Sequence, residues 1–214
     1  MYFSSINNID HVLLYISKQI IKFSITNKYN LMKLKKFNYK TVNSTNDLAI
    51  KIIKTSNNDS GMVIADYQKK GRGRYGRKWI SYKGNLFVTI FFNISRKNIS
   101  IKKVTYMNCK LIKKLLSRYY KKEIKIKHPN DLFINKSKIS GILQEIIQKG
   151  EKKFLLIGVG INLVKNPDIK DYPSTNLENI LKKKINKKQI IDRLRKMYET
   201  FIIKFNSRSP SKIV

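Results

Sequence analysis

The stretch DYQKKGRGRYGRKW, residues 66–79, sets three glycines among three arginines, with two lysines before them and the chain's single tryptophan at the end. Such a segment is suited to holding an anion. Gly71, Gly73 and Gly76 free the backbone to turn its N–H groups inward. Arg72, Arg74 and Arg77 offer bidentate donors to a carboxylate or phosphate, and Trp79 offers a flat face to a ring. The guanidinium groups fall within one Debye length of ~8 Å, so they repel until an anion joins them. Ordering about ten residues costs on the order of 10 kcal/mol of backbone entropy, and few apolar side chains are at hand to offset it. The expectation is a lid, mobile alone and ordered over one small anionic ligand. The run does not fit GxxxxGK[ST], so it is no ordinary P-loop, and it does not open a helix after GxGxxG. Occurring once, it argues against an RNA-binding Arg-Gly array.

The elements around the lid must position it. FNYKTV (37–42) reads as a strand, and Ser44 or Thr45 caps a helix whose apolar face carries Leu48, Ile52 and Ile53. GMVIADY (61–67) is a strand before the lid, and NLFVTIFFNI (85–94) is a nearly all-apolar strand after it, buried on both faces. Ser100 starts a helix with Val104, Met107, Leu111, Leu115 and Tyr119 on one stripe. EIKIK alternates into HPND, where Pro129 ends the ladder, and a hairpin comes next with its turn at 135–137. KFLLIGVGINL (153–163) is a buried strand interrupted by Gly158 and Gly160, and a last helix near 187–206 aligns Ile190, Leu194, Met197, Tyr198 and Phe201. This succession predicts an α+β domain, a mixed sheet with helices packed mainly on one face.

Composition narrows the class less than it first suggests. Forty-six Lys and Arg against 13 Asp and Glu give a formal charge of +33 across 214 residues, which invites an anionic partner. The excess is mostly lysine and travels with isoleucine and asparagine. All three have A/T-rich codons, so genome composition accounts for the charge better than a dedicated nucleic-acid surface does. One cysteine, Cys109, rules out an internal disulfide or cysteine zinc site, fits a cytoplasmic setting and reads as a core thiol. No apolar run approaches the ~20 residues of a membrane span. Residues 1–31 share little with the rest of the chain, and Met32 opens a segment that reads like a natural beginning; we expect an N-terminal extension at 1–31 and one catalytic domain over 32–214.

Four segments then converge: STND (44–47), DYQKKGRGRYGRKW (66–79), KHPNDLFINKSKISGILQE (127–145) and GVGIN (158–162). In this order they resemble the biotin–protein ligase family, with a weaker match through YPSTNL (172–177). The resemblance implies a fold of the class II aminoacyl-tRNA-synthetase-like, biotin–lipoate ligase type. It also implies ATP and biotin as substrates, Mg²⁺, and transfer of biotin through biotinyl-5′-AMP to a lysine of a biotin carboxyl carrier protein. By position it assigns Ser44, Thr45, Asn46 and Gln68 to the biotin ureido ring, with Gly71, Gly141, Gly158 and Gly160 giving close backbone approach. Arg72, Gly73 and Arg74 close over carboxylate and phosphate, and Arg77, Trp79 and Asn162 meet the nucleotide. Lys138 bridges carboxylate and α-phosphate, while Asn130 and Asp131 serve the phosphates, Asp131 through Mg²⁺.

Departures limit what is implied. The family usually has tryptophan before Pro-Asn-Asp where this chain has His128, read here as a packing substitute. Neither a winged-helix repressor region nor a C-terminal β-barrel is recognisable, so no specific DNA binding is expected; homodimers are common in the family. A lipoate or octanoate ligase or transferase is the rival enzyme, and a basic nucleic-acid-binding protein the rival outside catalysis.

Overall fold

The computed structural model describes residues 32–94, 99–169 and 172–207; the extension expected at 1–31 lies outside the described residues. In chain order the elements are β1 (Lys36–Val42), α1 (Thr45–Thr55), β2 (Ser60–Gln68), β3 (Leu86–Asn93), α2 (Ile101–Leu116), β4 (Lys125–Lys127), β5 (Asp131–Ile134), β6 (Ser137–Lys149), β7 (Lys152–Ile161), α3 (Leu177–Leu181) and α4 (Lys187–Ser207). The strands form one seven-stranded sheet in the order β1-β2-β3-β7-β6-β5-β4, with β1 parallel to β2 and the other pairings antiparallel. None of the described helices is long and apolar enough to cross a membrane.

Strand register decides what each face carries. Phe87, Thr89 and Phe91 of β3 lie opposite Gly160, Gly158 and Leu156 of β7, which lie opposite Gly141, Leu143 and Glu145 of β6. Side chains alternate along a strand, so all nine positions share one face. α1 covers part of it, burying Ala49 and Ile53 against Val63, Phe91, Phe154 and Leu156. The other face belongs to α2 and α4. Phe92 meets Phe201 and Phe205 edge-on, with centroids 6.4 and 5.6 Å apart, and Asn108 of α2 donates to Gln144 Oε1 at 2.8 Å. The two longest helices thus gather on one face as expected, and α1 takes the other. That leaves the glycine-bearing end of the α1 face for a site.

α2 departs from its expected stripe. Its buried residues are Val104, Asn108, Cys109, Ile112, Leu115 and Leu116, so the helix is rotated relative to a stripe through Met107 and Leu111. The cause is polar. Asn108 points inward because its amide is fully engaged, donating to Val104 O and Gln144 Oε1 and accepting from Tyr198 Oη at 2.9 Å. Cys109 is a free, buried core thiol. Burial, with the Asp131 charge adding, pushes its pKa up to about 12, so it is protonated and inert near neutrality.

Two local devices complete the frame. The β5–β6 hairpin turns on Asn135 and Lys136 at φ 48° and 64°, the positive pair that a two-residue turn matched to strand twist requires. Asn85, fully buried at the start of β3, accepts from the N–H groups of Leu163, Val164 and Lys165 at 2.9–3.1 Å. This pins the chain as it leaves β7. α3, capped by Asn176 accepting from Asn179 N, has no counterpart in the sequence-based expectation.

Tyr198→Phe leaves Asn108 Oδ1 buried without its donor, which costs about 1–3 kcal/mol. Urea unfolding should show that loss, and an unchanged midpoint would mean the Asn108 clamp contributes nothing to stability.

Candidate functional site

The floor of the site is backbone. Gly141 of β6 and Gly160 of β7 lie side by side in the sheet, and the Trp79 indole rests on both. A Cβ at Gly160 would sit 2.5 Å from Trp79 Cε2 and Cζ2, and one at Gly141 would sit 2.7 Å from Cζ3. Beside them, Gly158 backs directly onto Asn46 Oδ1. No residue with a side chain fits these positions without displacing the indole or the amide.

The polar end is built by the start of α1. Ser44 caps the helix, accepting from Asp47 N. Thr45 donates from both N and Oγ1 to Gln68 Oε1 at 2.8 and 3.0 Å. The Thr89 hydroxyl reaches Asn46 Oδ1 at 2.6 Å and Thr45 Oγ1 at 2.9 Å with one proton to give. Asn46 Nδ2 donates to Glu145 Oε2 at 2.6 Å. These hydrogen bonds orient every amide and hydroxyl in the corner.

The lid is a bonded loop rather than the unanchored segment its composition suggests. Gly73 N donates to Arg77 O at 2.7 Å, Trp79 N to Gly71 O at 2.9 Å, and Arg72 bridges Lys78. Trp79 supplies an apolar anchor, and counter-charges arrive from distant parts of the chain. Arg72 makes a bidentate pair with Glu145 at 3.0 and 2.7 Å and meets Asp47 at 2.8 Å. Partial burial works against the Arg72 charge, but Glu145 and then Asp47 outweigh it and raise the guanidinium pKa above its usual value. Arg74 reaches only the neighbouring Tyr75 hydroxyl among the described hydrogen bonds.

Lys138 stands at the other end of the floor. Its Nζ lies 2.8 Å from Asp131 Oδ2, and 5.5 and 5.0 Å from the ring centroids of Trp79 and Tyr172. Tyr172 is delivered by the YPSTNL segment, which pairs with β6 through Lys138 N to Pro173 O and Thr175 N to Lys138 O. Asn130 clamps β6 through both its side chain and its backbone carbonyl, each bonded to Ile142. His128 is exposed, stacked on Tyr106 with centroids 5.3 Å apart, away from the cavity.

Every predicted site residue except Gly71 and Asn162 lines one cavity, whose free volume is about 90 Å³. Gly71 lies behind it, where a Cβ would sit 2.5 Å from Trp79 O. Asn162 lies in an adjoining recess with Lys78, Trp79 and Tyr172. Small-molecule sites usually offer about 300–1,000 Å³, so Trp79 and the lid must shift to admit a ligand of ring-plus-nucleotide size. Asp131 is the only carboxylate lining the cavity, and the described residues hold no cluster of three or more metal ligands. The sequence pattern gave no role to Asp47, Thr89, Glu145 or Tyr172. Strand alternation from Gly141 through Leu143 would have placed Glu145 on the site face.

Because the chain has one tryptophan, Gly160→Ala has a direct optical readout. The added methyl should expel the indole, shifting fluorescence to longer wavelength with little change in far-UV circular dichroism. An unshifted spectrum would mean the indole is not seated on the glycine floor.

Comparison with known proteins identifies the family. The model of the biotin/lipoate A/B protein ligase family matches residues 38–162. The bifunctional ligase/repressor BirA of Escherichia coli is 33% identical over 102 residues, 47% of this chain and 32% of that protein. The biotin–[acetyl-CoA-carboxylase] ligase of Mycobacterium tuberculosis is 27% identical over 176 residues, 78% of this chain and 64% of that one. The biotin protein ligase of Aquifex aeolicus, solved with biotin and ATP, superposes with a TM-score of 0.68 at 25% identity, covering 84% of this chain and 76% of that one. The chain thus spans from about a third to under two thirds of these two curated relatives' lengths. Because that model spans more than half of the chain, the chain belongs to the biotin/lipoate A/B protein ligase family.

Proposed function

We propose that the chain is the catalytic domain of a biotin–protein ligase, activating biotin with ATP and passing it to a lysine of a carboxyl carrier protein. The observation that carries this reading is that Lys138, the glycine floor and the arginines of the lid line one cavity. The names of the relatives support it: the M. tuberculosis protein is called a biotin–[acetyl-CoA-carboxylase] ligase, and the A. aeolicus structure holds biotin and ATP.

Two displacements make up the reaction. A biotin carboxylate oxygen attacks the α-phosphorus of ATP, and pyrophosphate leaves. The amine of the carrier lysine then attacks the carbonyl of the mixed anhydride, forming an amide, and AMP leaves. In this reading the Lys138 ammonium contacts both carboxylate and α-phosphate and offsets negative charge in each displacement. To do so it exchanges its contact with Asp131 for the substrate anions. The glycine floor admits a flat fused ring against backbone, and the Thr45, Asn46 and Gln68 corner supplies donors and acceptors for a ureido group.

Asn162 favours adenine. Its Nδ2 donates to Thr175 O at 3.1 Å, which fixes the orientation of the amide, while its buried Oδ1 has no partner among the described residues. An acceptor so placed calls for a donor such as the 6-amino group of adenine, where guanine presents a carbonyl. Asp131 suits Mg²⁺ brought in with ATP, since such ions are held by one or two carboxylates plus substrate phosphates.

The test is biotin-dependent ATP–pyrophosphate exchange, with lipoate and octanoate run in parallel. Exchange is expected with biotin alone, and Lys138→Ala should reduce it by about 10²–10³-fold while leaving the unfolding midpoint near that of the parent. Exchange with lipoate instead would move the chain to the other branch of the family.

A further inference from the structure

The lid carries three arginines, and among the described residues only Arg72 has ion pairs to the body of the protein. Arg72 faces two carboxylates from different elements, Asp47 in the first turn of α1 and Glu145 on β6. A guanidinium has five N–H donors. Two serve Glu145 and one serves Asp47, leaving Nε–H and a single Nη hydrogen. Two negative charges against one positive leave no net cation here to attract a substrate anion. Arg74 and Arg77 line the cavity without a carboxylate partner among the described residues, so anion contact falls to them.

Glu145 also reaches inward. The oxygen that meets Arg72 Nη2 at 2.7 Å accepts from Asn46 Nδ2 at 2.6 Å, and Asn46 packs directly against Gly158 of the floor. The same carboxylate therefore joins the base of the lid to the polar corner of the cavity.

We infer that Glu145, assisted by Asp47, is the latch of the lid: it grips Arg72 to hold the loop shut, and so serves as a positioning residue for retaining the activated acyl-adenylate. The retained molecule rests on the ligase reading above; the latch itself does not. The latch suits a lid that must also open. The Arg72, Asp47 and Glu145 side chains are 38%, 48% and 25% exposed, so water and salt reach the pair and closure stays reversible.

Two measurements on the full chain test this separately. The first is limited trypsin digestion of the ligand-free protein, with cleavage after Arg74 and Arg77 monitored by mass spectrometry. Glu145→Gln, nearly isosteric and still able to accept from Asn46, should raise the cleavage rate about tenfold, as loss of one charged hydrogen-bonded pair implies. In an Arg72→Met background the same substitution should add little, because partners acting through one contact are not additive. The second is the dissociation rate of biotinyl-5′-AMP formed on the protein, which Glu145→Gln should raise about tenfold with a much smaller change in pyrophosphate exchange.

Unchanged cleavage and retention in Glu145→Gln would overturn the latch. So would an effect that persists in full with Arg72 replaced, since Glu145 would then act by another route. A parent protein that forms no adenylate from biotin would overturn the ligase reading alone, with the digestion still deciding the latch.

Discussion

The close contact between an indole and two glycines on adjacent strands is the constraint on which the site depends. A sheet surface is normally a pavement of side chains, and here the pavement is missing where β6 and β7 run together at Gly141 and Gly160. The gap exists only because register places those glycines opposite each other. A slip of one residue in either strand would bring a bulky apolar side chain such as Ile142 or Val159 into it. Register is held by the β6–β7 hairpin, whose ladder runs to Lys149 and Lys152 and turns at Gly150 with φ 55°, and by the long β3–β7 ladder on the other side. The sheet topology thus acts on chemistry through geometry: it sets two backbone segments level and leaves the volume above them to a flat ring.

The acidic residues define the site more sharply than the basic ones. The chain has 13 carboxylate side chains against 46 cations, yet Asp131 lines the cavity paired with Lys138, and Asp47 and Glu145 pair with Arg72 of its lining. A positive charge in so basic a protein is unremarkable by itself. What gives Arg72 and Lys138 fixed positions is a scarce negative partner at hydrogen-bond distance, supplied from α1, β5 or β6. The lysine excess, by contrast, is spread along the whole chain.

Much of the fold was legible in the sequence because its signals are local. Strand runs, the Ser44 and Ser100 caps and the hairpin are set by neighbours a few residues apart, and their positions hold to within a residue or two. The glycine and arginine motifs also converge on one cavity, as their order along the chain implied. The failures are of another kind. α2 is turned about its axis because Asn108 finds Tyr198 from 90 residues away and Gln144 from 36. Hydrophobic periodicity cannot register a polar group that is satisfied by distant partners. The lid looked unanchored for a similar reason: its entropy was weighed against its own side chains, whereas its anchors lie on the glycine floor, α1 and β6.

These pairings bear on how the site can bind an anion at all. A cavity of about 90 Å³ with its lysine held by Asp131 and its lid pinned through Arg72 is closed both sterically and electrostatically. A substrate cannot simply add to it. Entry requires the indole to leave the floor, and charge compensation requires Lys138 to trade a carboxylate of the protein for one from the ligand. Such an exchange costs less than exposing an unpaired buried cation, because the ammonium is never without a partner. It also makes the closed state selective. A ligand offering only a ring would have to displace the indole without gaining a contact to Lys138, which keeps Asp131, and a ligand offering only an anion leaves the glycine floor covered by Trp79. A molecule with a flat ring and an anion at the right separation satisfies both at once, and the physical basis for selectivity lies in that joint requirement.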